Sequence, residues 1–178
     1  FAIEVEETAL DAGGNPVSAQ GRIHVYKLQG NKLASAQEQV VAGGAYDPNA
    51  CAANVGAIAG MAAGGKVFAF TEPCADGAAG AEAGKMMVFN YSAAGAQRLI
   101  LQQTIEGTIP SGRLGFSLFG GQETVSVDSH GKRILVGSTI APFGDPAAVG
   151  VDVLLYAKEG QAPWTATHAL QPTVSGPF

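Results

Sequence analysis

Apolar residues in this chain fall into short clusters, not helical stripes. The segments "GRIHVYKL" from Gly21, "KVFAFTEP" from Lys66, "GKMMVFNY" from Gly84 and "GVDVLLYAK" from Gly150 are rich in β-branched and aromatic side chains, as strands are. Between runs of about five to eight such residues lie breaks carrying the chain's 25 Gly and 9 Pro. No segment sustains a 3.6-residue apolar period over the roughly ten residues a helix needs. The pattern predicts an all-β protein.

The pattern also repeats. "GRIHVYKL", "GKMMVFNY" and "GVDVLLYAK" each start with Gly and run as a strand to an aromatic: Tyr26, Phe89 and Tyr156, which are 63 and 67 residues apart. A Gly-containing turn and a second strand follow each copy, "NKLASAQEQVV", "AQRLILQQTIEG" and "PWTATHALQP", the last bearing the only Trp, Trp164. Ahead of each aromatic strand lies a loop rich in Gly, Ala and acidic residues, preceded by another strand: "FAIEVEE", "KVFAFTEP" and "KRILVGSTIAP". A fixed order at a fixed period is the mark of stacked repeats.

The stretch "SGRLGFSLFGGQETVSVDSHGKRILVGSTIAP" from Ser111, followed by "GVDVLLYAKEGQAPWTATHALQP", resembles the FG-GAP repeats that form the blades of integrin-α-like β-propellers. Leu114 to Phe116, with Gly115 and Phe116, match the "FG" element, and Val136 to Pro142, with Gly137 and Pro142, match the "GAP" element. Trp164 belongs to the strand pattern that follows. An earlier copy, "NVGAIAGMAAGGKVFAFTEP", keeps the strands and turn but has Ala57 in place of the Phe. The resemblance implies β-propeller blades, each a four-stranded antiparallel sheet. At four strands per blade the 178 residues make about three partial blades, whereas propellers close with about 4 to 8. Residues 1–178 are therefore expected to be a segment of one larger propeller domain, and an opening Phe1 in place of Met fits a processed or partial chain.

Composition narrows the function classes. With 47% hydrophobic and 14% charged residues, the chain has the apolar material for a core and too little charge for disorder. Its apolar runs fall well short of the roughly 20 residues of a membrane-spanning helix, so this segment is not expected to insert in a membrane. The net charge of -5, with ten Lys and Arg scattered singly, gives no basic stripe for nucleic acid.

Candidate chemistry concentrates at Asp128-Ser129-His130, residue types that build hydrolase sites. Adjacent residues in extended chain point to opposite faces, so they do not assemble as a triad. Asp and Ser capping a turn, with Gly131 at positive φ, account for the same residues. No catalytic residue is assigned, and the protein is expected to be non-enzymatic. Integrin-like blades hold Ca²⁺ in the hairpin between the "FG" and "GAP" strands. Here that turn offers one carboxylate, Asp128, beside Lys132 and Arg133, a poor set for a cation that takes six to eight oxygens. The acidic loops at Asp11, at Asp76 with Glu82, and at Asp145 with Asp152 show no alternating ligand pattern. His24, His130 and His168 have no metal-ligand spacing. No cofactor is expected, with Asp128 as the weak Ca²⁺ candidate.

Cys51 and Cys74 lie nearly equidistant from a hairpin turn expected near Ala63, which predicts a disulfide at the open end of that hairpin. A disulfide places the protein outside the cell or on its surface, in the secretory pathway. "NYS" makes Asn90 a candidate glycosylation site. The leading expectation is a structural or interaction module that associates with other proteins, or with other segments of the same propeller, in cell adhesion or assembly. A carbohydrate-binding propeller is the alternative, with Trp164, Phe143 and Tyr46 as its candidate aromatics, although these are not at equivalent repeat positions. A glycan-active enzyme would need paired carboxylates from several blades.

Overall fold

The computed structural model describes residues 2–6, 9–10, 16–18, 22–30, 32–42, 60–92, 98–115, 125–139 and 151–170. Among these the chain is all-β and contains no helix. Its strands are β1 (Ala2–Glu6), β2 (Ala9–Leu10), β3 (Pro16–Ser18), β4 (Arg22–Gln29), β5 (Lys32–Ala42), β6 (Gly60–Gly64), β7 (Val67–Glu72), β8 (Lys85–Tyr91), β9 (Leu99–Glu106), β10 (Val125–Val127), β11 (Arg133–Thr139), β12 (Val151–Ala157) and β13 (Thr165–Leu170).

Two four-stranded antiparallel sheets carry most of the described chain, in the orders β6-β7-β8-β9 and β10-β11-β12-β13. A three-stranded sheet, β1-β4-β5, and a small β2-β3 ladder complete them. Each four-stranded sheet is a meander in which sequence neighbours pair. The aromatics Phe89 and Tyr156 both lie in the third strand, and Tyr26 lies in the middle strand of the three-stranded sheet.

The three sheets share a further detail that sequence does not display. The ladder shifts register between Val25 and Tyr26, between Val88 and Phe89, and between Leu155 and Tyr156. Every one of these bulges falls directly before the repeated aromatic. A bulge puts an extra residue in one strand and increases the local twist. In β9 the extra residue is Gln102, because Val88 pairs with Gln103 and Phe89 with Leu101.

The hairpin turns also correspond. Gly64 pairs with Val67, so the β6-β7 turn is Gly65-Lys66, with Gly65 at φ 58. The turn begins two residues beyond the Ala63 near which it was expected, because Ala62 to Gly64 continue the ladder and the positive-φ position falls to Gly65. Gly131, also directly before a Lys, is at φ 64 in the longer β10-β11 turn, where Val127 pairs with Ile134. The Lys66 carbonyl accepts the Tyr91 amide at 2.6 Å, and the Lys132 carbonyl accepts the Lys158 amide at 3.2 Å.

The core lies between the two four-stranded sheets. Val67, Ala69, Met86, Val88 and Ile105 face Val125, Ile134, Val136, Tyr156 and Trp164, with Leu114 of the connecting segment in the same cluster. The faces turned away from this core differ. In the β6-β9 sheet all six residues of β7 are buried, and Phe68, Phe70 and Phe89 form an aromatic layer behind the core, Phe70 meeting Phe89 edge to face at 5.5 Å. In the β10-β13 sheet, Ile134 and Val136 are buried at 0% and 1%, but Leu135 between them is 40% exposed. One sheet is covered on both sides of β7, the other on one side of β11.

Candidate functional site

The features singled out in the sequence gather along the seam between the four-stranded sheets, beginning at the hairpin ends. Asp128 Oδ1 accepts the backbone amides of Lys132 at 2.6 Å and Arg133 at 3.2 Å, while the Gly131 amide donates to the Asp128 carbonyl at 2.9 Å. The Lys132 hydrogen bond, opposed by burial and aided by the Arg133 hydrogen bond and the nearby charges of His130 and Arg133, holds the Asp128 carboxyl below its usual range. Ser129 Oγ and His130 Nδ1 lie 3.3 Å apart on the exposed turn. The aspartate oxygen that a cation would need is engaged in closing the turn. Gly64 of the neighbouring hairpin lies against the Asp128 carbonyl so closely that a Cβ there has no room.

Farther along the seam the two glycines of the sequence motif meet. The Gly115 amide donates to the Gly137 carbonyl at 2.7 Å, which ties the segment leaving the β6-β9 sheet to β11. Gly115 has φ 87, and a Cβ built on it would collide with the Thr71 side chain of β7. Both the conformation and the close approach require glycine. Phe116 and Pro142, the other motif residues, lie outside the described residues.

The segment that ends at Gly115 is locked to the β7-β8 loop. The amides of Ser111, Arg113 and Leu114 donate to the carbonyls of Ala81, Glu82 and Ala83 at 2.8, 3.0 and 2.9 Å. Arg113 Nε and Nη2 both reach Glu82 Oε2, at 2.9 and 2.6 Å, in a pair whose side chains are 13% and 18% exposed. Glu82, Ser111 and Arg113 are the described non-glycine residues at positive φ, at 50°, 54° and 48°. Such backbone costs of order 1–3 kcal/mol per residue and persists where surrounding bonds over-determine it. Here the Asp76 carboxylate adds one more, accepting the Glu82 amide at 3.0 Å.

Trp164 lies back at the hairpin end of the seam, since Thr165 beside it pairs with Ala157 and Ala157 with Arg133. Gln103 of β9 grips its backbone on both sides: Oε1 accepts the Trp164 amide at 2.7 Å and Nε2 donates to the Trp164 carbonyl at 3.1 Å. The indole is 4% exposed, and the Lys158 ammonium lies 5.5 Å from the ring centroid. Its Nε1 is buried without a partner, which costs about 1–3 kcal/mol. A ring buried beneath a cation is not an open platform for a sugar. Gln102, Gln103, Lys158, Gln161, Pro163 and Trp164 line a groove of about 290 Å³ beside it.

The remaining candidates stand apart from this seam. Cys74 is buried and disulfide-bonded, while Cys51 lies outside the described residues. Asn90 is half-buried in β8, opposite Val67 and Ile100. His24 lies in β4 and the exposed His168 in β13. Asp152 belongs to β12, opposite Ser138, and not to a loop, because the apolar alternation of that strand carries through it. Asp11, Tyr46, Phe143 and Asp145 lie outside the described residues. Among the described residues no three His, Cys, Asp or Glu side chains converge as a metal site. Sequence reasoning missed Gln103 and Arg113, since a glutamine in a strand and an arginine in a connector carry no signature of partners 61 and 31 residues away. No family model, curated protein or solved structure matches the chain.

Proposed function

We propose that this chain is a non-enzymatic structural and interaction module, a run of FG-GAP-like propeller blades belonging to an extracellular or cell-surface protein. The observation that carries the reading is the contrast between β7 and β11. A sheet in the middle of a stack is covered on both faces, as β7 is; the β10-β13 sheet leaves Leu135 40% exposed on the face away from the core. Leu135 pairs with Leu155, which is half-buried, so the open face holds adjacent apolar side chains. Its occupant in this proposal is a further four-stranded sheet of the same propeller. The shared bulge before each aromatic and the shared turn glycines support blades of one kind.

The test is self-association of the 178-residue chain. With the open face unsatisfied, sedimentation should show concentration-dependent oligomers, and Leu135→Lys should shift the chain to monomer with its β-sheet circular dichroism retained. A monomeric wild type at every accessible concentration would sink the proposal. The secretory assignment rests on Cys74 and is tested by non-reducing peptide mapping: a Cys51–Cys74 cross-linked peptide supports it, and two alkylatable thiols overturn it. Glycosylation at Asn90 would add mass removable by an amidase on the protein from secreting cells.

A further inference from the structure

We infer that the groove beside Trp164 is a binding site for a small carboxylate-bearing sugar of the uronic acid class. The inference goes beyond the proposed module function and does not depend on it, because the groove is built from the two described sheets alone.

The site is made by two distant segments. β9 contributes Gln102 and Gln103, and the turn between β12 and β13 contributes Lys158, Gln161, Pro163 and Trp164. The double hydrogen bond between Gln103 and the Trp164 backbone fixes these two walls against each other. The turn itself is closed by the Ala162 amide donating to the Glu159 carbonyl at 3.0 Å. A volume of about 290 Å³ lies just below the roughly 300–1,000 Å³ of drug-sized ligand sites, so it suits one sugar unit and not a chain of them.

The lining selects the chemistry. Lys158 is the one charged residue on the walls, and its position over the indole holds the ammonium at the groove. No carboxylate lines the groove to neutralise it. Lys132 and Arg133 follow on the adjoining strand end, where the Lys132 carbonyl meets the Lys158 amide. The Asp128 carboxylate at that end is engaged with backbone amides. Lys132, Arg133 and Lys158 set against Asp128 and Glu159 leave this corner at a net charge of about +1, in a chain of net charge -5. The other walls are amides and small apolar groups. Gln161 is exposed and has no hydrogen-bond partner among the described residues, so its amide is available to donate to and accept from hydroxyls. Ala162 and Pro163 supply an apolar surface for the C–H face of a sugar ring. A cation, a bidentate amide and an apolar ledge together match a ring with one carboxylate and several hydroxyls. Simple anions use the first feature alone, and neutral sugars use the other two.

Trp164 is the only tryptophan, so its emission reports on this groove without interference. The test titrates the 178-residue chain with sodium glucuronate, with glucose and with sodium acetate, following Trp164 fluorescence and heat by calorimetry. Saturable binding of glucuronate, at least about tenfold tighter than glucose or acetate, is expected. Lys158→Gln should remove the preference over glucose, and Lys158→Arg should retain it. Should Lys158→Gln disturb the circular dichroism, Gln161→Ala, an exposed position, should still weaken glucuronate several-fold. Equal affinity for glucuronate and glucose, equal affinity for glucuronate and acetate, or no saturable signal by either method would each overturn the inference.

Discussion

The backbone amide of Gly115 and the carbonyl of Gly137 are joined by a 2.7 Å hydrogen bond across the seam, with Thr71 packed where a Gly115 side chain would be. Gly115→Ala therefore meets two penalties, a φ of 87° and a collision with β7. Destabilisation of at least about 2 kcal/mol is expected, read as a lower urea midpoint. A change within about 0.5 kcal/mol, the usual range for an innocuous surface substitution, would mean that the seam is not held there.

Gln103 and Trp164 make a different kind of seam contact. Gln103→Leu removes a donor and an acceptor at once and leaves the Trp164 amide and carbonyl unpaired. The expected cost is about 1–3 kcal/mol, with a red shift of Trp164 emission as water reaches the ring. Gln103→Glu keeps the acceptor but not the donor, so an intermediate loss is expected. Unchanged emission in Gln103→Leu would count against the contact.

The strained joint separates backbone from charge. Arg113→Ala loses the Glu82 pair and keeps the unfavourable φ of 48°, whereas Arg113→Gly loses the same pair and relieves the backbone. Glycine is therefore expected to be the more stable of the two by about 0.5–1 kcal/mol, the reverse of the usual order. Thermal melts of the two variants decide it: alanine above glycine would show that the left-handed conformation is absent.

Asp128 gives a pH dependence whose sign is fixed. Its folded carboxyl titrates below the ordinary value because the Lys132 and Arg133 amides favour the charged form. Its contribution to stability is fully present above the ordinary carboxylate pKa of about 3.9 and is lost as pH falls through the lower folded value. The stability gap between wild type and Asp128→Ala should be constant near neutrality and narrow in acid. A gap that widens in acid would contradict the turn geometry. Tyr156 acts at the other extreme: burial raises its phenol, so its contribution persists below about pH 10 and is lost above it, as the unfolded chain ionises first.

Strand existence was legible because apolar runs and glycine breaks are local signals, and the aromatics fell on corresponding strands. The β6-β7 turn was displaced because Ala63, Gly64 and Gly65 all suit a turn, and only the ladder decides among them. Glu82, Ser111 and Arg113 gave no warning, since non-glycine residues at positive φ have no compositional mark. The groove was invisible for a related reason: Gln103 and Trp164 are 61 residues apart, and only the packing of two sheets brings them together.

The bulge at Gln102 gives β9 two loyalties. On one side of it Leu99 pairs with Tyr91 and is 2% exposed; on the other Ile105 pairs with Met86 and is 8% exposed. Both are odd-numbered, so unbroken alternation would set them on the same face, yet Tyr91 and Met86 belong to opposite faces of β8. The extra residue flips the phase, so one strand anchors its start in the aromatic layer and its end in the inter-sheet core. Deleting Gln102 would bring Leu99 and Ile105 to the five-residue spacing of Tyr91 and Met86, so an unbroken ladder would keep both anchors and give up only the local twist of the bulge.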